Sequence, residues 1–341
     1  MLAAAPAFAQ QLSRDVETAD ATLRYNLAFR DATGTAREVA FGLDRTDYAE
    51  AHAGLIRPDS AEAVRRIEAA MESRVDAARA AWREGMRTRL NAIDAGLPDG
   101  VRLYHSFVGM KLTWNLHAQG MGQDALDALS RRVKPRIAQA NRRILAREQR
   151  KLDRATRKTR ESVYRELHYL RDPGLDNILR VDYRGIARTA APRLKPLAAA
   201  IGETAGSGAR DRLALALALV QTIPYDRLET RDVTEGVGFA TPVEMLHLNR
   251  GDCDTKATAL AALLHTLAPE LSVAMVLLPG HAVLAVDLPP QPGEHSVTLR
   301  GRAFVTMEPA GPAVMPLGQL GNDSAQAIAE DKVQGVVWMN G

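Results

Sequence analysis

Cysteine is nearly missing from this chain: one residue, Cys253, in 341. An internal disulfide is therefore excluded, and no cluster of His and Cys offers three ligands for a transition metal. Aromatic residues make up 5% of the sequence. The core must then be built mainly from Ala, Leu and Val, and stacking platforms for nucleic-acid bases are scarce. No run of about 18 apolar residues occurs, so no segment reads as a transmembrane helix. Neither sign of charge prevails: 44 Lys and Arg against 41 Asp and Glu leave +3, too little to imply a nucleic-acid partner by itself. Internal repeats are not evident. What is there is an ordinary globular composition, 46% hydrophobic and 25% charged, long enough for about two domains of roughly 150 residues.

Residues 2–11, LAAAPAFAQQ, form an Ala-rich apolar stretch in which Ala7 and Ala9 precede Gln10. Small residues at those two positions suit a signal peptidase, so residues 1–9 read as the remnant of an export signal. The expected location is periplasmic or secreted in a bacterium. A plain Ala-rich terminus is the competing reading. Two strand-like runs, Thr22 to Phe29 and Arg37 to Leu43, flank a turn at 31–35 and predict a β-hairpin. After Pro58, Asp59 or Ser60 reads as the N-cap of a long amphipathic helix reaching about Asp94. Its apolar face comprises Val64, Ile67, Met71, Val75, Ala78, Trp82 and Met86. A strand-rich piece from Val101 to Leu116 leads to a second helical stretch, about Gln123 to Leu170, which Pro135 is expected to kink or divide. Residues 172–174, Asp-Pro-Gly, read as a turn or linker. The division this suggests is an accessory region of strands and long helices over 10–172 and a second domain over 175–341.

The second helical stretch is basic. Between Arg131 and Arg160 there are thirteen Lys or Arg and two acids, Glu148 and Asp153. Such runs are usually solvated faces. The functional alternative is a docking face for an anionic envelope partner through Arg142, Arg143, Arg147 and Arg150. Nucleic acid is not expected.

From Asp211 the texture changes to a Leu/Ala-rich helix ended by Pro224. Thr241-Pro242 then reads as an N-cap and first helical residue. The stretch Gly251-Asp252-Cys253-Asp254 runs directly into the apolar helix Ala257 to Leu267. Cys253 thus falls at a helix N-terminus, whose unsatisfied N–H groups favour a thiolate over a thiol. Asp252 and Asp254 would oppose this if they faced the sulfur; capping the helix is the reading that avoids the conflict. Downstream, His281 opens a β run and Glu308 ends the next, Ala303 to Met307. Adjacent strands lie about 4.8 Å apart, which puts imidazole and carboxylate within bonding reach. His247, His265 and His295 are rivals for the base. Asp226, Asp252 and Asp254 lack the spacing of a calcium loop. Arg250-Gly251-Asp252 spells an adhesion tripeptide that three letters alone do not support.

These three segments, FATPVEMLHLNRGDCDTKATALAALL, GHAVLAV and FVTMEP, resemble the transglutaminase-like cysteine hydrolase superfamily over residues 175–320, under half the chain. Two departures stand out. Glu308 replaces the more usual Asp, and Ala282-Val283 stands where an aromatic is common. The resemblance implies an α+β fold with a papain-like core, in which a helix carrying the Cys packs on an antiparallel sheet carrying His and acid. It implies a Cys253, His281, Glu308 triad, and Gln221 as a side-chain donor to the oxyanion. No cofactor or metal is expected. The implied activity is a cysteine peptidase or amidase working through an acyl-enzyme on a protein or peptide. A cross-linking transglutaminase and a non-catalytic scaffold using the basic helices are the alternatives.

Overall fold

The computed structural model describes residues 11–54, 58–171, 179–228, 238–311 and 313–340. The expected export signal and the 172–174 turn lie outside the described residues. The fold is mixed helix and antiparallel sheet, α+β. The chain separates into two compact units, one of Met1–Pro58 with Arg165–Gly341 and the other of Asp59–Tyr164. The boundary therefore falls near 58 and 164, and the N-terminal strands group with the Cys-bearing part.

The first unit opens with β1 (Gln11–Ala19), β2 (Thr22–Arg30) and β3 (Ala36–Asp44), an antiparallel sheet in that order. β2 and β3 are the expected hairpin. β1 went unforeseen because its pattern QLSRDVETA carries little apolar alternation and it stays half-exposed at the edge. Helix α1 (Arg45–Gly54) follows. The buried face of β2, with Leu23, Tyr25, Leu27 and Phe29, joins the main core of this unit. That is why these strands do not stand apart: an alternating face of this size needs a cover.

The second unit is a helical arm. Helix α2 (Ala61–Asp94) is capped by the Ser60 hydroxyl, which accepts from the Ala63 N–H. A hairpin of β4 (Val101–Val108) and β5 (Lys111–Ala118) leads to α3 (Gln123–Glu166). α3 is one continuous 44-residue helix with Pro135 inside it, not two. Trp82, Met86, Leu90, Val133 and Ile137 bury the seam with the inner face of the hairpin. Trp82 is fully buried, meets Phe107 edge-on at 5.5 Å and donates from Nε1 to Asn141 Oδ1 at 2.9 Å. Val64, expected on the apolar face, is exposed.

The rest belongs to the first unit. It runs β6 (Tyr169–Arg171), β7 (Leu179–Val181), α4 (Tyr183–Ala190), α5 (Lys195–Thr204) and α6 (Ala209–Thr222). Then come α7 (Pro242–Leu248), α8 (Cys253–Leu267), β8 (Val273–Leu278) and β9 (His281–Val286). The chain finishes with β10 (Ser296–Leu299), β11 (Arg302–Met307), α9 (Asn322–Ala329) and β12 (Gly335–Trp338). A five-stranded sheet has the order β10-β11-β9-β8-β12. α8 is apolar all round because the sheet and α4, α5, α6 and α7 all pack on it.

Trp82→Ala should destabilise the arm by about 3–5 kcal/mol, the range for removing a fully buried aromatic. Urea unfolding followed by far-UV circular dichroism measures it.

Candidate active site

Cys253 is the first residue of α8 and is half-buried. The Asp252 carboxylate caps that helix, accepting from the Thr255 N–H at 3.0 Å. The residues leading into it are held from the N-terminal sheet. Asn249, in the left-handed region at φ 53, exchanges amide hydrogen bonds with Gln11. Arg14 donates to the carbonyls of Leu246 and His247, and Tyr25 meets His247 Nδ1 at 3.1 Å. α7 before them carries the expected cap, with Thr241 and Glu244 closing a reciprocal box. The nucleophile's loop is thus fixed by residues 222 or more positions away from their partners in it.

β8 and β9 are joined by Pro279-Gly280, with Gly280 at φ +67, the positive value that the second corner of a type II turn requires. The turn sets His281 at the very start of β9. β11 pairs with β9 in antiparallel register, Met307 against Leu284, and so delivers Glu308 beside it. His281 Nε2 lies 2.7 Å from Glu308 Oε1, as the strand order predicts. Cys253 lies close enough to the imidazole for its charge to act on the ring. Burial by itself pushes the imidazolium pKa down. The Glu308 hydrogen bond and the negative charges of Glu308 and Cys253 outweigh it and lift His281 to about 10.

Two further residues complete this constellation, and neither was legible in the sequence. Ser324, buried in the first turn of α9, donates from Oγ to Glu308 Oε2 at 2.7 Å. Both carboxylate oxygens are therefore engaged. Tyr225 is 48% exposed and feels the charge of Cys253, which together with burial raises its phenol pKa. The chain at Tyr225 runs beside Gly251: the Gly251 N–H donates to Pro224 O and the Asp226 N–H to Gly251 O. Ser324 sits in a polar stretch that carries no motif, and Tyr225 lies beyond the helix end that Pro224 announces.

Gln221 has a different part from the one expected. It is fully buried, and its Nε2 donates to the backbone oxygens of Glu308 and Met315, at 2.7 and 3.1 Å. Its Oε1 accepts from the Met315 N–H. Both amide protons are spent on holding the acid's backbone, so none is left for an oxyanion. Gly311 explains how close this packing is: a Cβ there would come within 2.6 Å of the Gln221 carbonyl oxygen.

The acids beside the sulfur are arranged to limit their charge. Burial plus the neighbouring Asp254 charge drives the Asp252 pKa well above the usual carboxylate range. Tyr183 donates from its hydroxyl to Asp254 Oδ2 at 2.7 Å. Asp226 turns to Arg250 at 3.3 Å instead of joining them. Among the described residues no group of three or more His, Cys, Asp or Glu is placed to hold a metal ion. The rival histidines are engaged elsewhere: His247 with Tyr25, His265 with Met339 O and His295 with Gly318 O. A cavity of about 790 Å³ opens on the His281–Glu308 side, lined also by Gly280, Asn322, Asp323 and Gln326.

Comparison of the chain with family models, curated proteins and solved structures found no match in any of the three.

Two outcomes follow from the geometry. Iodoacetamide should alkylate Cys253 faster in the wild type than in His281→Ala at neutral pH, because the imidazolium beside the sulfur persists to about pH 10. Equal rates in the two proteins would show that the two side chains do not act as a pair. Ser324→Ala leaves a buried carboxylate oxygen without its donor and should cost about 1–3 kcal/mol in urea unfolding.

Proposed function

We propose that the protein is a cysteine-dependent hydrolase, a peptidase or amidase, built on a transglutaminase-like core with a papain-like arrangement of helix and sheet. The observation that carries this reading is the hydrogen-bonded line His281, Glu308, Ser324, with Cys253 at a helix start close enough for its charge to act on the imidazole. A nucleophile, a base, an orienting acid and a group fixing that acid are what acyl transfer requires.

In this reading the Cys253 thiolate attacks an amide carbonyl carbon, and the carbonyl electrons move to oxygen. The backbone N–H of Cys253, at the first helical position, has no partner within its own helix and points at the developing oxyanion. With Gln221 committed elsewhere, the Tyr225 hydroxyl is the second donor. His281 gives its Nδ1 proton to the leaving nitrogen, the C–N bond breaks and a thioester remains. Water then attacks the thioester carbonyl, His281 accepts the water's proton, and Cys253 leaves as thiolate. Glu308 holds the imidazole in one orientation throughout and stabilises its cationic form. Hydrolysis is preferred to transamidation because water is the abundant acceptor.

Cys253→Ala should abolish both labelling by a thiol-reactive activity probe and turnover. The decisive assay incubates wild type and the variant with a cell-envelope protein extract in heavy-oxygen water and analyses products by mass spectrometry. New carboxylates carrying heavy oxygen, present only with wild type, support hydrolysis. Incorporation of an added labelled amine without heavy oxygen would assign cross-linking instead. Products unchanged by the substitution would remove Cys253 from the chemistry.

A further inference from the structure

The helical arm holds a feature that the cysteine chemistry does not use. Residues 59–164 carry 22 Lys and Arg against 13 Asp and Glu, whereas the remainder of the chain carries 22 against 28. Positive charge is therefore concentrated in the arm. Most of the arm's acids that make ion pairs do so locally: Glu62 with Arg65 and Arg66, Asp76 with Arg79, Glu84 with Arg87, and Glu148 with Arg147 and Lys151. Arg147 is thus paired with the next residue in sequence.

A groove of about 430 Å³ lies between α2 and α3. Arg89 enters it from α2, and Arg136 and Arg143 from α3. No acid lines it. These three arginines make no hydrogen bond or ion pair among the described residues. Along α2, Glu84 is taken by Arg87 and Asp94 by Arg102, and along α3 Glu148 is taken by Arg147 and Lys151. The spacing explains the convergence. Gly85, Thr88, Arg89 and Ala92 follow i, i+3, i+4, i+7 along α2, and Arg136, Gln139, Ala140 and Arg143 repeat it along α3. Small residues at Gly85, Ala92 and Ala140 leave the space open. At Gly85 a Cβ would already come within 3.3 Å of Ile144.

Three guanidiniums around one groove repel each other, and an anion placed among them relieves that repulsion while accepting several charge-assisted hydrogen bonds. Planar guanidinium forks match the oxygens of a phosphate. The groove is much larger than a lone phosphate, and its floor of Gly85, Ala92, Ala140 and Ile144 is apolar. We propose that the α2–α3 groove formed by Arg89, Arg136 and Arg143 is a binding site for a phosphate ester, the phosphate held by the guanidiniums and its organic group lying over the small-residue floor. Gln139 adds an amide donor at the rim. This site is independent of the cysteine chemistry and stands whether or not that reading holds.

The test uses the full chain and three variants. One is the groove triple Arg89→Ala, Arg136→Ala, Arg143→Ala. The second is the equal-charge control Arg150→Ala, Arg157→Ala, Arg160→Ala, outside the groove. The third is Ala92→Leu, which fills the groove and keeps every charge. Far-UV circular dichroism confirms folding of each. Glycerol 3-phosphate and inorganic phosphate are titrated by calorimetry, and vesicles of phosphatidylglycerol are compared with vesicles of phosphatidylcholine by co-sedimentation. Saturable one-to-one binding of glycerol 3-phosphate, weakened at least tenfold by the groove triple and by Ala92→Leu but not by the control, supports a soluble phosphate ester. The same pattern confined to phosphatidylglycerol vesicles supports a lipid headgroup as the source. Equal losses in both triples would show diffuse electrostatics, and no binding of any probe would overturn the site outright.

Discussion

One buried ammonium joins the pieces of the cysteine site. Lys256, one turn into α8 from Cys253, is fully buried and donates to the carbonyl oxygens of Ile223 and Ala310. Ile223 closes α6 just before Tyr225, and Ala310 follows Glu308 by two residues. The nucleophile's helix, the Tyr225 segment and the acid's loop therefore meet at a single nitrogen. Gln221 makes a parallel connection one turn earlier, from α6 to the backbone of Glu308 and Met315. A pair of buried polar side chains, each satisfied by backbone, thus fixes the loop whose carboxylate orients His281. Unsatisfied carbonyls in such a place would be costly, which gives these contacts their specificity.

The electrostatics around Cys253 are graded. A helix N-terminus and an imidazolium favour the thiolate, while Asp252 and Asp254 stand close enough to oppose it. Burial of Asp252 beside the Asp254 charge raises its pKa well above the usual carboxylate range and so favours its protonated form. Tyr183, itself driven to a higher pKa by burial and by Asp254, supplies another neutral donor. The site therefore carries less negative charge than its sequence, Asp-Cys-Asp, suggests. The surplus of positive charge in the chain lies within residues 59–164.

Much of the site was legible because it depends on local rules. A capped helix start places Cys253, a strand start places His281, and a strand end on the neighbouring ladder places Glu308. The alternating pattern of β2 and β3 was equally plain. What the pattern does not show is the surface that covers an apolar face. The N-terminal strands read as part of an accessory region, yet their buried residues belong to the core around α8. Gln221 shows the same limit. Its position before the core was legible, but the direction of its amide depends on Met315, 94 residues away. Ser324 and β12 escaped notice for want of periodicity, being a single hydroxyl and a short, half-buried strand. Pro135 does not divide the second stretch: with Val133 and Ile137 buried on either side of it, α3 runs on past a residue that removes a backbone donor.

Lys256 and His281 perturb the chain's protonation in opposite senses. Burial lowers Lys256 from 10.5 to about 7, although Asp252 pulls the other way. His281 rises from 6.5 to about 10. Between neutrality and about pH 10, folding thus adds a proton at the imidazole and releases one at the amine. The histidine's contribution to stability is complete below pH 6.5 and fades toward pH 10; the lysine's grows over nearly the same interval. Their slopes oppose, so the bookkeeping of protons between folded and unfolded chains stays close to even. A neutral amine also keeps two hydrogens for the two carbonyls it serves, and the joint at Lys256 survives the loss of its charge.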